Sequence, residues 1–366
     1  MRKLLYAITA MLLLVGCNTT KKSQGDEPSP VSATFNADSA YLFCQQQCDF
    51  GPRTMNSEAH ERCAEWIQQR FTQYGYQVEM QRADLRGYDG TTLKATNIIA
   101  ISPQHPTPNT QHLTPNTQHL TPNTRLLLCA HWDSRPWADN DPDSANWRKP
   151  VLAANDGASG VAVMLELARQ LQQHDSLNVA VDFICFDAED WGIPQWENKS
   201  DADSWALGAQ YWATNTHHPS PNTQHPSPNT PRNATLSKRE HPTPNTYKYA
   251  ILLDMVGGQG AKFYHEGYSL QHARPIVEKV WQAAQAAGYG SFFPAQMGGY
   301  ITDDHIPVNE QAHIPCIDII NHYPECPQSN FGPTWHTVND DMQHIDRNTL
   351  EAVGQTLLQV IFSEKE

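Results

Sequence analysis

Five short stretches of the chain carry residues of metal-binding type: AHWDS with His131 and Asp133, AANDGASG with Asp156, DAED with Glu189 and Asp190, LLDMVG with Asp254, and PTWHT with His336. Singly, each has an ordinary explanation. A histidine at a strand end is usually a hydrogen-bonded surface residue, and an aspartate at a helix start, as Asp156 is, usually caps the helix. Together they are a donor set of carboxylates and imidazoles with no thiolate beside them, which suits Zn²⁺ in a catalytic site that keeps one position open. The stretch FICFDAEDWG sharpens the point, because Asp187, Glu189 and Asp190 crowd together where an apolar strand ends. Like charges that close raise one another's pKa, so the cluster needs a cation or a proton-handling task.

The elements that must hold these residues alternate. LKATNIIAIS from Leu93 and RLLLCAHWD from Arg125 predict strands, and DGASGVAVMLELARQLQ from Asp156 predicts a helix with a small-residue start. There follow the strand NVAVDFICFD, a helix around ADSWALGAQYWA, the strand KYAILLDMV, a long helix from Leu270 to Ala287, the strand IPCIDII and a terminal helix from Asn348. Near-continuous apolar strands separated by helices predict one α/β domain, with a mixed, mostly parallel central sheet flanked by helices on both faces. In such sheets ligands sit outside the carboxyl ends of the strands, where the polar residues named above gather.

Residues 105–124 read HPTPNTQHLTPNTQHLTPNT, and the pattern returns from His218 and from His241. Pro, Asn, Thr and His leave nothing to bury, and the prolines exclude a coiled coil. Low-complexity loop insertions at about 103–124 and 215–246 are expected, and their histidines, from His105 to His241, leave the pool of site residues.

The N-terminus, MRKLLYAITAMLLLVGCNTT, joins a basic start to an apolar run too short to span a bilayer, then small residues, as in a secretory signal. The ending LVGC resembles a bacterial lipobox, which implies a signal peptide over 1–16, lipidation at Cys17 and a polar tether over 17–34. The domain would then occupy 35–366, exported and anchored by its lipid to a membrane, the outer one by the residue after Cys17, facing the periplasm. A net charge of −14 argues against nucleic acid as a partner. Cys44 with Cys63, or Cys316 with Cys326, are the pairings open to a disulfide.

The motifs HWDS, NDGASGVA, DAED, LLDMVG, ITDDHIP and WHTVNDD, in that order, resemble the M28 family of zinc peptidases, and within it the glutaminyl cyclases of the animal-type zinc class. The resemblance covers residues 38–363 apart from the insertions. It implies one Zn²⁺ held by Asp156, Asp190 and His336, with Glu189 as general acid and base and Asp254 and Asp303 as hydrogen-bonded acidic partners beside it. It further implies that Trp335 and Trp196 wall the substrate pocket, with Thr302 nearby. The substrates would be peptides or proteins with N-terminal glutamine, and the reaction pyroglutamate formation with loss of ammonia. Thr302 and Asp318 depart from the animal enzymes, where Gln and His are usual.

An M28 aminopeptidase is the alternative, because relatives with two zinc ions use residues equivalent to His131, Asp156 and Asp254 for a second site. His131 is therefore either a second-metal ligand or a hydrogen-bonding group. Trp335 before His336, the Asp303-Asp304 pair and Asp190 in a position where aminopeptidases more typically carry Glu favour the cyclase. A binding protein that has lost activity would have lost Glu189 or a ligand, and none is lost.

Overall fold

A computed structural model describes residues 29–103, 124–174, 177–197, 199–215 and 247–365. The signal segment, Cys17 and both repeat tracts lie outside the described residues. The end of the expected tether is not free, because the C-terminal helix Arg347–Ser363 bonds its backbone. Gln359 bonds the amide of Val31 at 2.9 Å and the carbonyl of Ser29 at 2.9 Å, and Gln355 bonds the amide of Phe35 at 2.8 Å.

Two helices, α1 (Ala37–Cys48) and α2 (Glu58–Gln73), precede the edge strand β1 (Gln77–Arg86) and its neighbour β2 (Thr92–Ile101). Then come β3 (Arg125–His131), α3 (Ala158–Leu171), β4 (Ala180–Phe186), α4 (Leu207–Asn215), β5 (Tyr247–Asp254), α5 (Gly267–Ala286), α6 (His305–Glu310), β6 (Cys316–Ile320) and α7 (Arg347–Ser363). The sheet order is β1-β2-β4-β3-β5-β6. Strands β3 to β6 run parallel, while β1 and β2 are antiparallel to their neighbours. Because β4 separates β2 from β3, the first repeat tract spans a crossover and not a hairpin.

Burial on both faces explains the unbroken apolar strands. Along β4, Val181, Phe183 and Cys185 pack with α1, α2, α3, α5 and α7, while Ile184 and Phe186 face the other way with Trp212 of α4 and Val308 of α6. This is the period of two that a pleated strand imposes. Helix α5 kinks at Ala273 (φ −141°), two residues before Pro275, whose missing N–H and bulky ring break the helical ladder. The seven described cysteines are all free thiols, so neither of the two pairings left open by the sequence forms. Cys44, Cys63 and Cys316 are instead fully buried small apolar side chains.

Candidate active site

The parallel strands end at one edge, so His131 at the end of β3, Asp187 just past β4 and Asp254 at the end of β5 arrive there together. Asp156 reaches the same edge from the turn before α3. Its neighbour Gly157 has φ +105°, and a side chain there would lie 2.6 Å from the Asp133 carbonyl and 3.2 Å from the His131 ring. Only glycine lets α3 begin this close to β3. The Asp340 carboxylate then fixes the turn, accepting from the amides of Asn155 at 2.8 Å and Asp156 at 3.0 Å.

Asp156, Asp190 and His336 each offer an atom within 4.8 Å of the others. His336 Nε2 lies 3.5 Å from Asp156 Oδ2 and 3.4 Å from Asp190 Oδ1. Tetrahedral ligands bound at about 2.0–2.2 Å stand about 3.3–3.5 Å apart, so this spacing is that of a metal triad. Asp190 Oδ2 is buried with no hydrogen-bond partner, a vacancy that a cation would remedy. The remaining nitrogen of His336, Nδ1, sits 3.3 Å from Asp139, as a carboxylate that orients a ligating imidazole would. Burial opposes the charge on Asp139, but His336 and Arg135 outweigh it and hold the carboxyl well below its usual range. Burial and Arg135 likewise oppose the charge on His336, yet Asp190 and Asp139 raise it to about 9. A metal arriving at this site therefore displaces a proton from His336.

A second triad, His131, Asp156 and Asp254, also falls within 4.8 Å. Its distances are shorter: His131 Nε2 is 3.0 Å from Asp156 Oδ1 and 3.2 Å from Asp254 Oδ1, the range of a hydrogen bond. Asp133 does not join either triad. It accepts from the amides of Glu189 and Asp190, each at 3.2 Å, and so shapes the loop that presents them.

Glu189 is 8% exposed at this edge. Burial pushes its carboxyl well above the usual range, and Asp303, Asp190 and Asp304 add to the rise against the opposing pull of His131. Asp303 is thus within electrostatic reach of Glu189, but the bond expected from Asp254 goes to His131. Asp187 faces away from the site and accepts from His60 Nε2 at 2.9 Å and the Thr96 amide at 2.5 Å.

Trp335 stacks on the His336 ring, centroids 3.8 Å apart, and is half-buried. Trp196 belongs to an aromatic row, 5.8 Å from Trp137 and 6.4 Å from Trp147 with the Arg148 guanidinium 4.0 Å above it. The row begins at Arg135, which covers Trp137 at 5.4 Å and donates to Asp190 at 3.2 Å. Thr302 is exposed. Sequence reasoning missed Arg135, Asp139 and Asp340, which touch Asp190, His336 and the Asp156 amide respectively. It also missed Trp205, whose ring lies parallel to His336 at 6.1 Å under the Arg135 guanidinium. The one available signal was proximity: RPWAD follows HWDS directly.

Backbone strain collects at the same edge. Ala188 (φ 53°), Met255 (φ 49°) and His336 (φ 53°) adopt left-handed conformations that cost non-glycine residues about 1–3 kcal/mol each. They precede Glu189, follow Asp254 and supply a triad member.

Residues 109–361 match the model of peptidase family M28. The structure is similar to a Bacteroides thetaiotaomicron glutaminyl cyclase, with 44% identity, a TM-score of 0.76 and coverage of 91% of this chain and 99% of that one. It is equally similar to a leucine aminopeptidase precursor from the same organism, with 43% identity, a TM-score of 0.75 and coverage of 92% and 100%. Aminopeptidase YwaD of Bacillus subtilis is 25% identical over 65% of this chain, and the chain spans only 40% of that relative's length. The six-stranded sheet, the acid and imidazole residues at its carboxyl edge and a match running through most of the chain converge on one assignment, and the chain belongs to peptidase family M28.

Proposed function

We propose that the chain is a zinc-dependent glutaminyl-peptide cyclotransferase, which closes the N-terminal glutamine of peptides or proteins to pyroglutamate and releases ammonia. The observation that carries this reading is the unequal spacing of the two triads. Asp156, Asp190 and His336 stand at metal-ligand distances, while His131 stands at hydrogen-bond distance from Asp156 and Asp254. One ion, with His131 as a hydrogen-bonded support, suits a reaction that needs no activated water.

Zinc held by that triad would supply Lewis-acid polarisation of the substrate's side-chain carbonyl. The residues of the chain do the rest. The half-buried face of Trp335 and the aromatic row through Trp196 can fold the glutamine side chain back toward its own α-amine, the near-attack shape that sets the rate of a ring closure. Glu189, whose raised pKa makes it the stronger base, takes a proton from the α-amine as the new N–C bond forms. It then hands that proton to the amide nitrogen as the old C–N bond breaks, and ammonia departs. Burial raises the Glu189 carboxyl, and neighbouring Asp303 and Asp190 add to that rise.

The aminopeptidase reading is favoured by one observation, the presence of a complete His131, Asp156 and Asp254 set. An assay separates the two. Purified protein is expected to release ammonia from a peptide that begins with glutamine, to leave every peptide bond intact and to lose this activity to a chelator. Free leucine appearing from leucine amide, without ammonia from the glutamine peptide, would establish the aminopeptidase instead.

A further inference from the structure

Beyond Trp335, the rim of the active site continues as two tryptophans and a cation. Trp196 and Trp147 lie nearly parallel, 20° apart with centroids at 6.4 Å, and the Arg148 guanidinium rests 4.0 Å above the Trp196 ring. Both rings are half-buried, and Arg148 is exposed.

This patch is tied to the segment that carries Trp335 and His336. The Trp147 indole donates to the Asp141 carbonyl at 2.7 Å, and the Asp141 carboxylate accepts from the Val338 amide at 3.1 Å. Asn140 donates through its backbone amide to the His336 carbonyl at 3.0 Å and through its side chain to the Trp335 carbonyl at 3.2 Å. Gln195, the neighbour of Trp196, donates in turn to the Asn140 side chain at 3.3 Å. Both rings therefore hold their places relative to the metal triad.

The cation on the patch lacks an anion. Among the described residues no carboxylate oxygen lies within 4.0 Å of the Arg148 guanidinium nitrogens, not even that of Glu197, which follows Trp196 in the chain. Other cations nearby are engaged: Arg135 by Asp139 and Asp190, and Lys149 by the Asn146 side chain at 2.7 Å. A guanidinium resting on a ring engages it through its face and keeps its N–H fork for a planar anion. The anion that a peptide side chain offers is a carboxylate, which this fork can bind in bidentate fashion. On a chain of net charge −14, most of the surface repels an acidic peptide, so a local cation at the mouth of the site has the more to contribute.

We propose that Trp147 and Arg148 form a subsite for the peptide chain behind the N-terminal glutamine, with Arg148 selecting an acidic side chain at the second or third residue, a role that rests on the cyclase reading. The reach is right. Extended chain advances roughly 3.3–3.6 Å per residue, so the 6.4 Å step from Trp196 to Trp147 is about two residues long. With the glutamine against Trp335 and Trp196, the residues that follow cross the Trp147 face beneath the guanidinium.

The test uses peptide amides that begin with glutamine and carry Glu, Gln or Lys at the second or third position, the amide removing the terminal carboxylate. For ammonia release by the parent chain, kcat/KM is expected to be about fivefold higher with Glu than with Gln at one of these positions, and high salt should shrink that ratio. Arg148→Gln should bring the ratio to about one. Arg148→Glu should turn the preference toward Lys, an exchange that a merely structural contact between Arg148 and Trp196 would not produce. Equal rates for Glu and Gln in the parent chain, or a Glu preference that survives in Arg148→Gln, overturn the subsite. Ammonia from none of the peptides is the separate failure of the cyclase reading. Equilibrium binding of the same peptides then decides the subsite: tighter binding of Glu peptides by the parent chain than by Arg148→Gln supports it, and equal binding overturns it.

Discussion

Asp187 and Glu189 stand two positions apart and do unlike work, because the chain turns over between them. Ala188, in the left-handed region at φ 53°, directs Asp187 back under the sheet, where the Thr96 amide, the Ala188 amide at 2.8 Å and His60 use its oxygens. Glu189 emerges on the other side with its carboxyl in reach of His131 and Asp303. If Glu189 moves protons and does not hold the ion, Glu189→Gln keeps the shape and loses the base. Turnover should fall by about 10²–10⁴-fold with zinc content unchanged, by kinetics and metal analysis on one sample. Zinc lost together with activity would make Glu189 a ligand. Asp156, Asp190 and His336 could be expected as a set from the sequence because the order of their motifs resembles that of the family, and the structure brings one atom of each within 4.8 Å of the others. Asp139 and Asp340 could not, since an aspartate that bonds an imidazole or a pair of amides looks like any other until the chain is folded. Trp205 was hidden for a related reason: within an apolar stretch a tryptophan reads as core.

At the scale of elements, the site depends on how close α3 comes to β5. A side-chain carbon on Gly160 would sit 2.3 Å from the carbonyl of Leu253, the residue before Asp254, and 2.9 Å from the Ala130 side chain beside His131. The stretch DGASG was recognisable as a small-residue helix start, but the need for small residues comes from strands far away in sequence. Gly160→Ala must push α3 outward, and Asp156 with it. Overpacking of this kind costs about 1–3 kcal/mol, so a lower melting temperature is expected, with weaker zinc binding by titration. Unchanged values for both would mean that the helix is free to shift without disturbing the triad. The later strands were legible because burial on both faces makes them continuously apolar. The N-terminal elements were not. Helix α1 buries Ala40, Phe43, Cys44, Gln47 and Cys48, a proper helical stripe, but one with a glutamine and two cysteines in it. Strand β1, QVEMQRADLR, is an edge strand that is nowhere fully buried and so carries little apolar signal.

Across the whole molecule, catalysis and insertion sit at opposite ends of the sheet. The parallel strands carry the triads at their carboxyl ends, whereas the residues that flank the repeat tracts lie at the amino ends: Ser102 and Arg125 around the first, Tyr247 after the second. One buried carboxylate ties these roots together. Asp182 near the start of β4 accepts from the Ser102 amide at 2.8 Å, the Arg125 Nε at 2.7 Å and the Tyr247 hydroxyl at 2.9 Å. Both ends of the first tract and the far end of the second are thus fixed by the sheet and not by the repeats, while the second tract leaves from the end of α4, which explains how segments with nothing to bury can be carried by an ordered domain. Because β2 and β3 flank β4, the crossover must bridge about 10 Å, so it can be shortened but not simply cut out. Replacing residues 105–123 with a Gly/Ser linker of about six residues, long enough for that span, should leave kcat/KM and zinc content near those of the parent chain. A large loss of activity in a variant that still melts cooperatively would show that the tract reaches around to the carboxyl edge and shapes the pocket. A fall in melting temperature alone would place its effect at the Asp182 clamp.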